Sequence, residues 1–166
     1  MSPSVKIRSF TSADLPACQT LYVEGLLGGK IAENDTALDL DDITTVYMKP
    51  GNHFWVAESE RGKVVGMVGV QHHETSTAEI RRLRVASDHR RRGIGSALVE
   101  AALGFCQENH YIKITLDTFM EREPAINLFR KFRFRHDHTR SVAGKELMYF
   151  YLDLYEGMPR GRAAEQ

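Results

Sequence analysis

Val5-Lys6-Ile7-Arg8-Ser9-Phe10 alternates apolar and polar side chains, the two-residue period of a half-buried strand. Leu15, Cys18, Leu21, Tyr22 and Leu26 then recur at helical spacing, with Thr11 and Ser12 as N-cap residues, Asp14 suited to a positive helix start, and Gly28-Gly29 as the stop. Residues 31–48 lack a clear period and predict one short helix with irregular flanks. His53-Phe54-Trp55-Val56-Ala57 and Val64-Val65-Gly66-Met67-Val68-Gly69-Val70 are β-rich runs joined by Glu58-Ser59-Glu60-Arg61-Gly62-Lys63, which reads as a hairpin. A third strand over 78–85 extends the pair to an antiparallel meander. From Gly93 the period becomes helical, with Ile94, Leu98, Ala101, Ala102 and Phe105 on one stripe, and 111–116 returns as a strand. A strand–helix–strand unit of that kind carries parallel strands. A further helix over 124–132 and strands over 134–138 and 145–154 complete the chain. The fold class is α/β: a mixed, mostly antiparallel, twisted sheet of six or seven strands flanked by about four helices.

The 166 residues, 42% of them hydrophobic, suit one globular domain, placed at 5–155, with a frayed tail at 156–166. Lys plus Arg equals Asp plus Glu at 22 each, so bulk charge holds neither nucleic acid nor an anionic membrane, and charge has to be read locally. Cys18 and Cys106 form no disulfide framework or zinc-type spacing and read as two buried thiols in a reducing compartment. The start of the chain lacks a signal-peptide pattern, and no apolar run is long enough to span a membrane. The expectation is a soluble, cytoplasmic protein.

Chemistry concentrates between Glu79 and Leu98. Apolar residues at 80, 83 and 85 step by three and then by two, which a regular strand cannot keep on one face, and one extra residue, a β-bulge, repairs the pattern. A bulge near Leu83 turns backbone N–H groups out of the ladder. Directly after that strand, Arg90, Arg91, Arg92, Gly93, Ile94, Gly95 and Ser96 lead into a helix. Unpaired helix-start N–H groups, the positive end of the dipole and guanidinium charge converge there on a site for phosphate. The dinucleotide pattern G-x-G-x-x-G fails at Leu98, and no phosphate-loop motif G-x-x-x-x-G-K-[ST] occurs.

Arg90-Arg91-Arg92-Gly93-Ile94-Gly95 resembles the signature [QR]-x-x-G-x-[GA] of the GCN5-related N-acetyltransferases (GNAT), in the same context of a preceding Leu-x-Val strand and a helix behind. The resemblance covers about residues 7–154. It implies acetyl-CoA as acetyl donor, its pyrophosphate on the backbone of Arg90 to Ser96 and its pantetheine along Leu83, Arg84 and Val85, in a slot between splayed strands. It further implies an oxyanion-hole-like N–H, that of Leu83, and a primary-amine acceptor, with a homodimer as one possible assembly. Glu79 resembles in position the family's catalytic glutamate; read from its neighbours it is either a general base or a salt-bridge partner of Arg81 or Arg82. The family's usual proton-donating Tyr falls on Phe129, a core aromatic by composition, and its usual Asn on Arg122. Tyr111, Tyr149, Tyr151 and Tyr155 are left as donors. Residues 64–70 and Leu116-Asp117-Thr118 resemble the camello-like group, which acetylates small amino acid derivatives or protein amines and usually carries a membrane segment.

Six arginines between Glu79 and Arg92 face only Glu79 and Asp88. Arg82 and Arg84 read as charges keeping a sheet edge soluble or as attractors of phosphate. No aromatics interleave them for base stacking, which weighs against nucleic acid. The acidic stretch from Glu33 to Asp42 is either a wall selecting a cationic amine or a solvated face. His72-His73 and His136 with His138 lack the partners of a metal site. Two other classes are kept in view: a silent acyl-CoA-binding regulatory domain, and an arginine-rich anion-binding interaction module.

Overall fold

The computed structural model describes residues 4–25 and 35–155. Strand β1 (Val5–Ser9) leads through a 3-10 turn (Ser12–Asp14) into helix α1 (Leu15–Glu24). Asp14 holds the turn: its carboxylate accepts from the Thr11 N–H at 2.8 Å and from Arg8 Nη1 and Nη2 at 2.8 and 2.9 Å. Helix α1 closes on Gly25, before the Gly28-Gly29 stop read from sequence. Leu26, Gly28, Gly29 and Glu33, like the tail at 156–166, lie outside the described residues. A second 3-10 turn (Leu38–Asp41) precedes α2 (Ile43–Tyr47), where the Asp42 side chain caps the Thr45 N–H at 3.1 Å.

The rest of the chain supplies β2 (His53–Ser59), β3 (Val64–Glu74), β4 (Thr77–Val85), α3 (Ile94–Glu108), β5 (Lys113–Phe119), α4 (Glu123–Lys131), β6 (Arg135–Val142) and β7 (Lys145–Asp153). Two boundaries moved for packing reasons. Tyr111 stands before β5 because its ring is buried and its hydroxyl donates to the Gly51 carbonyl at 2.7 Å. Phe134 stands before β6, buried edge-on against Phe129 with ring centroids 5.6 Å apart. Nearly every side chain of β6 is exposed, so no alternation marks its true length.

The strands form one seven-stranded sheet, ordered β1-β2-β3-β4-β5-β7-β6, antiparallel at every pairing except β4–β5. Two glycines of β3 show how helices cover both faces. A Cβ at Gly66 would meet Leu98 of α3 at 3.0 Å, and one at Gly69 would meet Phe54 and Tyr47 of α2 at 2.8 and 2.9 Å. Three residues apart on a strand, the two point to opposite faces. Helix α3 therefore covers one face and α2 the other, where α1 also packs. Tyr47, Phe54, Met67, Leu98, Ile114 and Phe150 are fully buried between the layers. No described helix is long and apolar enough to cross a membrane.

The parallel pairing is short. Strand β4 meets β5 only at Thr77, Ala78 and Glu79, opposite Lys113, Ile114 and Thr115. Beyond Glu79 β4 stays with β3 as far as Val85, while β5 stays with β7 as far as Phe119. The two halves of the sheet thus separate at one point into a V-shaped cleft, the splayed pair that the family resemblance implies.

Candidate active site

The bulge lies where the apolar spacing put it. Gly69 pairs with Arg81 and Met67 with Arg84, so Arg82 and Leu83 together stand opposite Val68. Arg82 is the extra residue, with φ of 60°, a conformation rare for a side chain of its size. The register sends Ile80, Leu83 and Val85 toward α3, and Glu79, Arg81, Arg82 and Arg84 toward α1 and α2. On the side facing β5, the backbone of Leu83, Arg84 and Val85 has no strand partner.

Arg82 is not a solubilising edge charge. Its side chain is 7% exposed, with Nε donating to Asp39 Oδ2 at 2.9 Å and Nη2 to Asp39 Oδ1 at 2.6 Å and Asp35 Oδ1 at 2.8 Å. Tyr22 and Tyr47 hydroxyls complete the network on Asp35 and Asp39 at 2.9 and 2.6 Å. Burial penalises both carboxylates, yet the Arg82 hydrogen bonds win and hold their pKa values below the ordinary range. The acidic stretch is therefore neither a solvated face nor a free cation-selecting wall at these two positions: they hold the bulge. Arg84 likewise is no edge charge. It packs against Gly25, where a Cβ would lie 2.9 Å from its Cδ, and its guanidinium sits 5.7 Å from the Tyr22 ring centroid.

Glu79 occupies the last paired position before the cleft opens. Burial raises its carboxyl pKa; Arg81, whose Nε is 3.9 Å from Oε1, opposes the shift, and Asp117 adds to it. Two residues beyond Thr115, the partner of Glu79, Asp117 faces the same side; its side chain is exposed, yet the protein packed around it raises its carboxyl pKa against the pull of Arg81 and Arg82. The salt-bridge alternative for Glu79 is thus present but long, since Arg81 gives a 3.0 Å hydrogen bond to Gln71. No local spacing singles out Asp117; the register of β5 on β4 alone sets it on the same face as Glu79.

At the far end of β4, a 3-10 turn (Ser87–His89) feeds the arginine loop. Arg91 and Gly93 have φ of 64° and 81°, and no side chain caps the start of α3, so the first N–H groups of that helix are left to face the loop. Arg91 and Arg92 line a depression with Arg61 and Lys63, while Arg90 is on the Arg122 side and acts on its charge. The three side chains therefore do not converge. Ile94 is buried and offers only its backbone. Gly95 has a packing reason of its own, because a Cβ there would lie 3.1 Å from Leu128 of α4. Ser96 Oγ accepts from Lys131 Nζ at 3.4 Å, bringing a cation that sequence reasoning missed.

Arg122, at the start of α4, donates through Nη2 to the Gly25 carbonyl at 2.6 Å, tying α4 to the C-terminal end of α1. Phe129 is a core residue. Tyr111 is tied to Gly51, Tyr155 is exposed, and Tyr149 and Tyr151 lie on β7 against His138 and Lys113, one strand removed from the cleft. Cys18 and Cys106 are fully buried, which pushes both thiols up to about 12.

Residues 17–134 match the model of the Acetyltransferase (GNAT) family. The chain is 42% identical over 100 residues to an N-acetylaspartate synthetase of Xenopus tropicalis, a match that covers 59% of this chain and 36% of that relative, so the chain spans only about a third of it. An acetyltransferase of the GNAT family from Staphylococcus aureus superposes with a TM-score of 0.80 at 19% identity, covering 90% of this chain and 99% of the other. A phosphinothricin acetyltransferase from Sinorhizobium meliloti, solved in complex with AcCoA, gives 0.76 at 21% identity, covering 93% and 91%.

Proposed function

Because the chain belongs to the GNAT acetyltransferase family, we propose that it transfers an acetyl group from acetyl-CoA directly to a primary amine, within the unit 5–155 and without a covalent enzyme intermediate. The observation that carries the reading is the coincidence, on one strand, of a bulge, a lost strand partner and a helix start with uncapped N–H groups. In this reading the loop backbone from Arg90 to Ser96 holds the pyrophosphate, with Lys131 beside it, and the free backbone of Leu83, Arg84 and Val85 lines the pantetheine. The bound thioester supplies the activated acetyl group. An N–H freed near Leu83 is aimed at the oxygen where negative charge develops.

An alkyl ammonium of pKa about 10.4 has to lose a proton before it attacks. Glu79 is the group placed for this, and its raised pKa makes it a stronger base than an exposed carboxylate; such a base contributes roughly 10²–10⁴-fold. Asp117 stands ready to share or relay the proton. The departing thiolate, of pKa about 8.5, has no tyrosine at position 129 and relies on backbone N–H groups and nearby guanidinium charge. A ping-pong route through cysteine is disfavoured, since both thiols are buried and hard to ionise.

The buried Phe129 favours one second reading, a silent acyl-CoA-binding domain. The first test is melting temperature with acetyl-CoA, CoA and tripolyphosphate. Saturation at 100 times Kd adds about 2.7 kcal/mol, several degrees for a chain of this size. A shift with the CoA compounds alone supports both CoA readings, and one that tripolyphosphate reproduces points to the arginine-rich interaction module.

A further inference from the structure

Arg82 stands at the bulge of β4 with φ of 60°, a conformation that a glycine adopts at no steric cost. The chain places an arginine there instead, so the side chain has a task that the backbone turn alone does not set. Reaching for a ligand is not that task. The side chain is 7% exposed, and Nε, Nη1 and Nη2 all donate to Asp35 and Asp39. Both carboxylates are fixed in turn. Asp35 accepts from the Ala37 N–H at 2.8 Å and from the Tyr22 hydroxyl at 2.9 Å, and Asp39 from the Tyr47 hydroxyl at 2.6 Å. The Tyr22 ring centroid lies 5.3 Å from the Arg82 guanidinium carbon. Helix α1, the segment ahead of α2 and α2 itself thus grip one residue of β4. Well-packed apolar side chains often replace a buried ion cluster with no loss of stability, so stability alone does not account for this one. What the cluster provides is a single fixed geometry.

A side chain held in the left-handed region persists only where its surroundings over-determine it, and such strain gathers where a mechanism uses it. If Arg82 relaxed to an ordinary extended φ, it and Leu83 could not both stand opposite Val68. The pairing from Leu83 onward would slip by one residue, turning Leu83 and Val85 away from α3 and returning the freed N–H to the ladder. Beyond Glu79 this stretch has no partner on β5 to resist the slip. Holding the bulge therefore falls to the Arg82 side chain. We propose that Arg82, clamped by Asp35 and Asp39, is a positioning residue for acetyl transfer: it keeps the N–H near Leu83 where the thioester oxygen gains negative charge. The proposal deepens the acetyl-transfer reading above and rests on it. That reading assigns the pyrophosphate to the loop from Arg90 to Ser96, away from the clamp. Loss of the clamp is therefore expected to lower kcat and leave KM for acetyl-CoA in place.

Two variants test it. Arg82→Lys keeps the charge but loses the fork that spans two carboxylates, and Tyr47→Phe removes only the hydroxyl that Asp39 accepts from. Each is assayed well below its own melting temperature, so that turnover reports folded protein. Arg82→Lys is expected to lower kcat roughly 10²–10³-fold, the loss that follows removal of an oxyanion donor, and Tyr47→Phe roughly tenfold. KM for acetyl-CoA is expected to stay unmoved in both. A second readout needs no turnover: the infrared stretch of acetyl-CoA isotope-labelled at the thioester carbonyl. Bound to the wild type, the band is expected at lower wavenumber than in free acetyl-CoA, and in each variant back toward the free position. Wild-type kcat in both folded variants, a raised KM at constant kcat, or a carbonyl band that is unshifted in the wild type or left in place by the substitutions overturns the proposal. If Arg82→Lys does not fold, Tyr47→Phe decides by the same readings. A wild type that releases no thiol with any amine is a distinct result, which sinks the acetyl-transfer reading and this proposal with it.

Discussion

Arg82 and Asp39 are joined by two hydrogen bonds, at 2.9 and 2.6 Å, across 43 residues of sequence, with side chains only 7% and 10% exposed. The pair ties the bulge of β4 to the segment ahead of α2. Replacing one partner strands the other as a buried charge, which costs about 3–5 kcal/mol. Arg82→Met is therefore expected to lower the urea midpoint sharply. A loss below about 1 kcal/mol, the size of an exposed pair, would contradict the structural role given to it.

The same network sets a pH dependence. Folding lowers the pKa values of Asp35 and Asp39, so their contribution is present above the unfolded value of about 3.9 and is lost as pH falls toward the depressed folded values. Urea midpoints measured across the acid range are expected to fall below about pH 4, and Asp39→Asn to flatten that fall. An unchanged slope in the variant would show that the charge of Asp39 does not carry it.

Glu79 has the opposite sign. Its folded pKa is raised, so its contribution is full below the unfolded pKa and is lost as pH rises through the folded one. Glu79→Gln, neutral throughout, is expected to resist urea at least as well as the wild type at neutral pH while turning over roughly 10²–10⁴-fold more slowly. The acid limb of the wild-type rate profile should lie above the ordinary glutamate value of about 4.3 and vanish in the variant. Equal turnover at every pH would remove Glu79 from the base role.

Gly93 and Gly95 separate two explanations of the loop. Gly93 needs its positive φ of 81°, whereas Gly95 is needed by Leu128. Gly93→Val forces a β-branched residue into the left-handed region, at about 1–2 kcal/mol, and is expected to weaken CoA binding as it deforms the loop. Full CoA affinity in Gly93→Val, measured by melting shift, would contradict the pyrophosphate assignment. A Gly95 variant would not be diagnostic, since it disturbs the contact between α3 and α4 as well.

The two cysteines provide a kinetic check. Cys18→Ala and Cys106→Ala are expected to retain turnover, with intersecting double-reciprocal plots in acetyl-CoA and amine. Parallel plots, or a variant without activity, would bring back a thiol intermediate.

The element order and the bulge were legible because each rests on local spacing: apolar residues at 80, 83 and 85 admit no regular strand, and Gly93 opens a helical stripe; the splayed pair came only with the family resemblance. What escaped depends on partners distant in sequence. Nothing near Arg82 announces Asp35 and Asp39, which lie 47 and 43 residues before it, so a structural cation read as an edge charge. The meeting of Glu79 with Asp117 follows from the parallel register of β4 on β5, and that of Arg84 with Arg122 from the way α1 ends between them. Strand β6 escaped in part because an exposed edge carries no alternation. Arg90, Arg91 and Arg92 were legible as a cluster but not as side chains pointing to different sides of the loop.

The most direct measurement is thiol release from acetyl-CoA against a panel of amines, with the N-acetyl product quantified in the same samples. The account predicts thiol and N-acetyl product in equal amounts, release that needs the amine, and a rate that collapses in Glu79→Gln. A melting shift specific to CoA compounds, with no amine-dependent thiol release from any member of the panel, would contradict it and identify the chain as a silent acyl-CoA-binding domain.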